Sequence, residues 1–325
     1  MNPQILELTK SINLEIDKLN FGKVPSELYD PIYYILNLGG KRLRPLLVLL
    51  SYELFKDDAS TIMPAALAVE IFHNFTLMHD DIMDSAPLRR GKSTVHEKWN
   101  ENIAILSGDV MLVKAYELLY TVPDNYVKQA LMKFNDCATQ VCEGQQKDMN
   151  FENLSRVMEE EYLEMIRQKT GILLGFCSEF GGLLAEKGQE TQHLLKEFGI
   201  YLGIGFQLKD DLLDVYADKD TFGKQVGGDI IANKKTYLLI KAMEQANNYQ
   251  LSELEAWLHK IDFDKSEKIS AIKNIYDDLN IKSITENKIS EYFQLGFNAV
   301  NKLNTPKHRK DKLTTFTEDL INRVK

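Results

Sequence analysis

Two aspartate-rich motifs have the residue types and spacing to hold a metal ion. They are Asp80-Asp-Ile-Met-Asp84 and Asp210-Asp-Leu-Leu-Asp214, and each lies in an apolar run. In a helix, the first and last aspartates of each motif are one turn and about 40° apart, so their carboxylates project together and repel. A single motif would equally fit a solvated acidic patch, but two such pairs in apolar runs need neutralisation. Because magnesium takes one or two carboxylates plus phosphate oxygens, the motifs predict two half-sites around a magnesium-bound diphosphate.

Two basic clusters complement these acids. One is Gly39-Gly-Lys-Arg-Leu-Arg-Pro45 and the other is Arg89-Arg-Gly-Lys92. Arginine forks and lysine charges bind phosphate oxygens, although either cluster alone would more simply be a solvated turn. His73 lies about 20° from Asp80 on an ideal helix, which favours a place in the same site over an ordinary core position. Together these residues indicate a diphosphate ligand.

The elements that must position these residues are helices. Apolar residues recur at three- and four-residue spacing, and only 8 prolines and 18 glycines interrupt the chain. Segments with this spacing are 6–19, 64–83, 103–120, 126–147, 159–185, 189–216, 235–245 and 285–303. Because no segment alternates with a period of two, we predict an all-α protein with a single domain spanning residues 1–325.

Composition excludes several other classes of protein. The 39 basic and 48 acidic residues give a net charge of -9, which opposes non-specific nucleic-acid binding. No run approaches the roughly 18 apolar residues of a membrane span, and the N-terminal stretch lacks the features of a signal peptide, so we expect a cytoplasmic protein. Cys137, Cys142 and Cys177 have no CxxC spacing, which predicts three reduced, buried thiols.

The ordered motifs GGKRLRP, DDIMD, RRG, KTG, FQ, DDLLD and GK resemble those of the trans-isoprenyl diphosphate synthases, the polyprenyl synthetase family. The resemblance runs from Gly39 to beyond Lys235. It implies the isoprenoid synthase fold, a single large helical bundle around a central cavity. It also implies prenyl transfer, in which isopentenyl diphosphate condenses with dimethylallyl, geranyl or farnesyl diphosphate. Lys209 departs from the family pattern, which often has a neutral residue before the second motif.

The resemblance implies a metal site built from both aspartate-rich motifs. Its primary ligands would be Asp80, Asp84 and Asp210, with Asp81 and Asp214 as supporting carboxylates. By the same resemblance, about three Mg²⁺ ions would occupy each active site, with Mn²⁺ as a possible substitute.

The resemblance also implies two diphosphate sites. Isopentenyl diphosphate would contact Lys41, Arg44, His73 and Arg90, with Phe206 against its hydrocarbon chain. The allylic diphosphate would contact Arg89, Lys169, Lys224 and Lys234, and Thr170 and Gln207 would line the cavity where carbocation character develops. The implied catalytic residues are Lys169, Thr170, Gln207, Asp80, Asp84 and Asp210.

Product length is predicted from the residues that precede the first motif. Phe75 lies five positions before Asp80 and Thr76 lies four before it, a combination that resembles geranylgeranyl-forming (C20) enzymes. Aromatic residues at both positions would indicate a C15 farnesyl product, and a small residue at the fifth would indicate a longer one. Phe75 lies about 140° from Asp80 on an ideal wheel, so Phe72 is an alternative floor, and ordinary core packing is a third interpretation. We predict a C20 product, with C15 or longer products as alternatives.

Two other classes of protein fit the motifs less well. A terpene cyclase would have one aspartate-rich motif, a separate Asn/Ser/Glu metal motif and no GGKRLRP segment. A non-catalytic synthase subunit would lack one or both aspartate-rich motifs.

The resemblance further implies a homodimer, in which isologous packing would bury exposed apolar helix faces.

Overall fold

The computed structural model describes residues 3–217 and 226–321. Helices make up 79% of the structure, which confirms the predicted all-α class. The helices within the described residues are α1 Pro3–Lys18, α2 Ser26–Asn37, α3 Leu43–Glu53, α4 Met63–Met83, α5 Val95–Lys98, α6 Glu101–Leu119, α7 Asp124–Glu152, α8 Glu159–Ile166, α9 Ile172–Leu184, α10 Gln189–Tyr216, α11 Gly228–Ile231, α12 Tyr237–Gln245, α13 Asn248–His259, α14 Lys265–Asp278, α15 Ile281–Lys302 and α16 Lys307–Ile321.

Three short elements complete the description. A 3₁₀ turn, Ala59–Ile62, precedes α4, and a π turn, Arg167–Gly171, joins α8 to α9. Strands β1 (Leu88–Arg89) and β2 (Lys92–Ser93) form an antiparallel hairpin. The hairpin is absent from the sequence-based prediction because strands of two residues are too short to show an alternating pattern.

The described residues form two compact units. The first unit contains residues 3–135, 176–196 and 303–320, and the second contains residues 136–175, 197–217, 226–302 and 321. Helices α7, α9, α10 and α16 contribute residues to both units. The single domain of residues 1–325 stays a prediction.

The core of the first unit surrounds α4. This helix packs against α3 and α6, and α1 packs against both α3 and α4. Pro64 at the start of α4 suits a first turn because its missing N–H group would have no partner there. Asn100 caps α6 by accepting a hydrogen bond from the amide of Ile103 at 2.9 Å. The first aspartate-rich motif therefore lies at the end of a buried, well-supported helix.

In the second unit, α12 packs against α8, α14 and α15, and α11 and α13 pack against α14. Asn247 caps α13, and Asp264 caps α14 by accepting from the amides of Ser266 and Glu267. The part of α10 in this unit carries the second aspartate-rich motif.

The continuous helical segment Ala59–Met83 has the length and the apolar composition to cross a membrane, and 67% of its apolar window is buried within the protein.

The cysteines are free thiols, as predicted. Cys137 and Cys177 are buried, but Cys142 is exposed, so the prediction of three buried thiols is wrong for Cys142. Its position on α7 faces solvent, which sequence spacing did not reveal.

Candidate functional site

The first half-site lies at the C-terminal end of α4. Asp84 is the C-cap residue, and its amide donates to the carbonyl oxygen of Asp80 at 2.8 Å. This bond places the two aspartates one helical turn apart, as the sequence spacing predicts. Asp80 is half-buried and Asp84 is exposed. The paired carboxylates therefore stand where the helix ends and solvent begins.

Asp81 has a different environment from its two neighbours. Its side chain is buried and accepts three hydrogen bonds from the Arg89 guanidinium, at 2.7 to 3.0 Å. Bidentate pairing of this kind fixes the orientation of both groups. Asp81 therefore anchors the first arginine of the basic hairpin to α4.

Three of the predicted isopentenyl diphosphate residues, Arg44, His73 and Arg90, lie near one another in the first unit. Burial, first, and then nearby positive charge hold the pKa of His73 well below its usual range, so its imidazole is neutral at pH 7. The charges responsible belong to Arg44, Arg89, Arg90 and Arg42. A neutral imidazole among guanidinium groups leaves the positive field of those groups available to an anion.

A tight turn positions Arg90. Arg90 and Gly91, between β1 and β2, both have positive φ angles of 53° and 74°, the signature of a type I′ hairpin turn. Gly40 has a φ of 148°, and a Cβ atom there would lie 2.9 to 3.1 Å from the Arg90 guanidinium. Gly40 of GGKRLRP therefore leaves the space that this guanidinium fills. Lys41, beside it, is exposed.

The middle cation of the first basic cluster has a structural role. Arg42 is buried, and its guanidinium donates to Glu70 Oε1 at 2.7 Å, to Asn13 Oδ1 at 2.9 Å and to the Leu36 carbonyl at 2.9 Å. A buried charge satisfied in this way is costly to disturb. Arg42 therefore ties three segments of the first unit together.

The second half-site is a cavity of about 340 Å³ within the second unit. It contains six of the residues predicted from the motifs, Lys169, Thr170, Gln207, Asp210, Asp214 and Lys234. The remaining lining residues are Asp148, Tyr162, Met165, Ile166, Asp211, Gly228, Asp229, Lys235 and Thr236. Carboxylates, lysines and uncharged polar groups thus share one concave surface.

Lys169 and Thr170 lie on the π turn, a rare helical irregularity that is frequent at functional sites. Glycines allow neighbouring backbones to approach it on two sides. A Cβ atom at Gly144 of α7 would lie 2.8 Å from Lys169 Cα, and one at Gly203 of α10 would lie 2.5 Å from Gly171 Cα. The π turn is therefore held between α7 and α10. Lys169 Nζ donates to Asp148 Oδ2 at 2.5 Å.

A hydrogen-bond chain crosses the cavity wall. Thr170 Oγ1 donates to Gln207 Oε1 at 3.1 Å, and Gln207 Nε2 donates to Asp211 Oδ1 at 3.0 Å. The Tyr162 hydroxyl donates to the other carboxylate oxygen of Asp211. Burial, followed by repulsion from Asp229, raises the pKa of Asp211 to about 8, and burial raises the pKa of Tyr162 as well.

Asp214 is held by the backbone that follows the second motif. Its Oδ2 accepts from the Asp229 amide at 3.0 Å, and its carbonyl oxygen accepts from Gly227 N at 2.6 Å. Lys234 Nζ lies 3.9 Å from Asp229 Oδ1. These contacts place a lysine and two carboxylates along one edge of the cavity.

The predicted chain-length residues have unequal burial. Phe72 is 1% exposed and makes an edge contact with Phe134, at a centroid distance of 4.9 Å. Phe75 is half-buried, with its ring 4.6 Å from the ring of His79 and 5.7 Å from that of Phe72. The Thr76 hydroxyl donates to the His73 carbonyl at 2.8 Å. Phe72 therefore belongs to an aromatic core cluster, and Phe75 lies at its margin.

The remaining sequence-based site predictions have separate outcomes. Lys224 lies outside the described residues. Phe206 is half-buried on α10, outside the set of residues that line the 340 Å³ cavity. Lys209 Nζ donates to the carbonyl oxygen of Ile321 at the end of α16. The ammonium of Lys209 therefore contacts the last residue of α16.

Four polar cavity residues were missed by the sequence analysis: Asp148, Tyr162, Asp211 and Asp229. Asp211 stands inside the second motif, and its burial could have been expected from its position three residues after Leu208 and four before Val215, on the apolar stripe of the helix. Asp148, Tyr162 and Asp229 come from α7, α8 and α11 and carry no local signal, because their proximity to α10 depends on tertiary packing.

The carboxylates fit the chemistry of magnesium. Asp80 and Asp84 offer hard oxygen ligands one turn apart, and Asp210 and Asp214 line the cavity of the second unit. Within residues 3–217 and 226–321, no group of three or more His, Cys, Asp or Glu side chains is arranged to hold a metal ion. Pairs of carboxylates suit an ion that takes its other ligands from phosphate oxygens and water.

Comparison with known proteins gives the family. Residues 25–279 match the polyprenyl synthetase family model. A Methanosarcina mazei protein named geranylgeranyl diphosphate synthase is 41% identical over 244 residues, 74% of this chain and 75% of that protein. A Natronomonas pharaonis protein named geranylfarnesyl diphosphate synthase is 38% identical over 68% of this chain and 70% of its own length.

A solved structure of a geranylgeranyl pyrophosphate synthase has a TM-score of 0.91 with this chain at 42% identity, covering 99% of each chain. The chain therefore belongs to the polyprenyl synthetase family. Its predicted enzyme class, a trans-prenyltransferase of the isoprenyl diphosphate synthase type, is confirmed, as is the isoprenoid synthase fold.

Proposed function

We propose that this enzyme condenses isopentenyl diphosphate with dimethylallyl, geranyl or farnesyl diphosphate and forms an all-trans C20 geranylgeranyl diphosphate and pyrophosphate. The observation that carries the product length is Phe75 five residues before Asp80, with Thr76 at the fourth position. Relatives named geranylgeranyl diphosphate or pyrophosphate synthase, at 41% and 43% identity, support the same length. A longer C25 product is the second candidate, because the Natronomonas pharaonis relative is named for it.

Magnesium would be held by Asp80, Asp84 and Asp210, with Asp81 and Asp214 in support. When bound, it would neutralise the leaving diphosphate and so ease heterolysis of the allylic C–O bond. The pairing of Asp81 with Arg89 suggests that Asp81 supports this site chiefly by orienting a diphosphate-binding arginine.

In the allylic site, cationic side chains would bind the diphosphate, and uncharged polar groups would face the cationic carbons. Lys169 and Lys234, in the cavity wall, would bind diphosphate oxygens, and Arg89 and Lys224 would add charge. Thr170 and Gln207 would turn oxygen atoms toward the cationic carbons without providing a nucleophile that traps them. The isopentenyl double bond then attacks the allylic carbon, and the proton lost from the new C–C adduct passes to the released pyrophosphate.

The diphosphate group of the second substrate would bind to residues of the first unit. Arg44 and Arg90 lie near His73, whose imidazole is neutral, so their positive charge is available to an anion. Lys41, in the same basic cluster as Arg44, is exposed. These groups would hold the diphosphate of isopentenyl diphosphate, and Phe206 would pack against its hydrocarbon chain.

We also propose a homodimer, with α6 as the contact. Ile105, Leu106 and Val113 of α6 are 42%, 57% and 59% exposed and lie on one stripe of the helix. A stripe of this kind is self-complementary, so a second copy related by a twofold axis would cover it.

For the location of the protein we propose the cytoplasm, where three free thiols would stay reduced.

The deciding experiment is incubation with isopentenyl diphosphate, each allylic primer in turn and Mg²⁺, followed by chain-length analysis. We expect C20 as the main product from every primer and no product in excess chelator. Asp80→Ala, Asp84→Ala and Asp210→Ala should each lower kcat by about two or more orders of magnitude. The exposed Asp278, changed to alanine, serves as the matched control. Absence of product with all primers would reject prenyl transfer by this chain, and near-normal kcat in all three variants would reject the metal site.

A further inference from the structure

The side-chain amide of Gln207 has a defined orientation in the wall of the cavity. Its amide nitrogen donates to Asp211 Oδ1 at 3.0 Å, and its amide oxygen accepts from Thr170 Oγ1 at 3.1 Å. A glutamine amide can turn by 180° about its last torsion and exchange these two ends. The groups on either side therefore decide which end faces the cavity.

Asp211 favours one of the two orientations. A reversed Gln207 would place its oxygen against a carboxylate oxygen, so that two acceptors would face each other without a proton between them. The Tyr162 hydroxyl donates to the far oxygen of the same carboxylate and leaves Oδ1 to accept from Gln207. Asp211 is 5% exposed and Tyr162 is 2% exposed, so water competes little for these bonds.

We propose that Tyr162 and Asp211 are positioning residues that hold the amide oxygen of Gln207 toward Thr170 and the cavity. The inference rests on the proposed prenyl transfer and gives a role to two residues to which the sequence analysis assigns none. Tyr162 acts through Asp211, and Asp211 acts through Gln207. Neither needs to touch the substrate for this role.

The orientation matters because the reaction develops positive charge. An amide oxygen directed at the allylic cation places the negative end of its dipole beside that charge, whereas the NH₂ end would oppose it. A dipole that is already oriented costs no reorganisation during ionisation. Loss of the orientation should therefore lower kcat and leave KM for both substrates nearly unchanged.

The arrangement does not depend on the charge of Asp211. When the carboxyl group is ionised, both oxygens accept. When it is neutral with its proton on Oδ2, that oxygen donates to the Tyr162 hydroxyl oxygen instead of accepting from it, and Oδ1 still accepts from Gln207. In both forms the Gln207 nitrogen is directed at Asp211.

Asp211→Asn tests the proposal directly. An asparagine can turn its NH₂ group toward Gln207 while its oxygen accepts from Tyr162, and this admits the reversed glutamine. We expect kcat to fall about tenfold, with KM for both substrates and the half-saturating Mg²⁺ concentration unchanged. Thermal unfolding of each variant verifies that it is folded.

The double variant Gln207→Glu with Asp211→Asn exchanges the two groups. The introduced glutamate presents oxygen in both directions, so one oxygen accepts from the introduced asparagine and the other faces Thr170 and the cavity. We expect the double variant to recover kcat to within about threefold of the original enzyme, while Gln207→Glu alone places two carboxylates together and remains slow. A residue with a merely structural role would not produce recovery from a second substitution.

Tyr162→Phe is the second, independent test, with Tyr237→Phe as its matched control. The Tyr237 ring is 6.4 Å from that of Tyr162, centroid to centroid, and is equally buried, but it lies outside the set that lines the cavity. We expect a several-fold loss of kcat at constant KM for Tyr162→Phe and unchanged kinetics for Tyr237→Phe. If Asp211→Asn does not fold, this pair decides the question alone.

Three results would overturn the proposal: kcat of a folded Asp211→Asn within twofold of the original, a double variant no faster than Asp211→Asn, or a changed Mg²⁺ requirement. Equal kinetics of Tyr162→Phe and Tyr237→Phe would also overturn it. These outcomes are read against an active parent enzyme. An inactive parent would instead reject the proposed function, so the two failures are distinguishable.

Discussion

Gly144→Ala should damage catalysis by displacing the π turn. An added Cβ would lie 2.8 Å from Lys169 Cα and 2.8 Å from the Gln168 carbonyl carbon, where ordinary contacts are 3.4 to 4 Å. The atoms on both sides are backbone, so no flexible side chain can move away, and a shift of about 1 Å is required. A misplacement of about 1 Å in a catalytic group can lower the rate about 100-fold. Forced overpacking costs about 1–3 kcal/mol in stability.

The assay is prenyl transfer at saturating substrates, measured together with thermal unfolding. Gly188→Ala is the control, because nothing lies within 4 Å of the added Cβ there. We expect Gly144→Ala to lose about two orders of magnitude in kcat and Gly188→Ala to retain its activity. A folded Gly144→Ala enzyme with kcat within twofold of the original would refute the idea that close packing on the π turn sets the geometry of the site.

Three further predictions concern the first unit. Gly40→Ala should raise KM for isopentenyl diphosphate several-fold by displacing the Arg90 guanidinium, whereas Gly188→Ala, which meets nothing within 4 Å, should not; initial rates at varied isopentenyl diphosphate measure both. Phe75→Ala should lengthen the product by one or more isoprene units in chain-length analysis, and unchanged products in an active variant would transfer the role to Phe72. Because the pKa of His73 is lower in the folded chain than its usual value of about 6.5, the unfolded chain binds an extra proton as pH falls through that value, and stability falls with it. His73→Asn should weaken this loss, and equal losses between pH 8 and pH 5 in denaturant titrations of both proteins would contradict it.

The residues of the aspartate-rich motifs could be placed from the sequence because their relation is local. Asp80 and Asp84 lie one turn apart wherever the chain is helical, and the apolar spacing of α4 and α10 is sufficient to predict those helices. The predicted segment 189–216 coincides with α10, and 64–83 begins one residue after α4 begins. Helical periodicity is a short-range property, so it can be detected in the sequence without knowing which residues pack against the helix.

The surroundings of those motifs depended on tertiary structure. Nothing near Tyr162 in the sequence indicates that its hydroxyl meets Asp211, 49 residues later. The two cations Arg42 and Arg44 look alike in GGKRLRP, yet Arg42 is buried against Glu70. Which of the two arginine side chains is buried depends on the direction of the chain at residue 42, where φ is 48° immediately before α3 begins.

The π turn shows the same limit most clearly. The segment 159–185 has continuous helical periodicity and predicts one regular helix, but residues 167–171 form a π turn within it. Gly144, Gly171 and Gly203 allow three backbones to meet there, and each lies far from at least one of the others in sequence. Local propensity determined that this chain is helical and where its carboxylates pair. The close approach of distant helices, a property of the whole packing arrangement, determined how Lys169, Thr170 and Gln207 are held in the cavity.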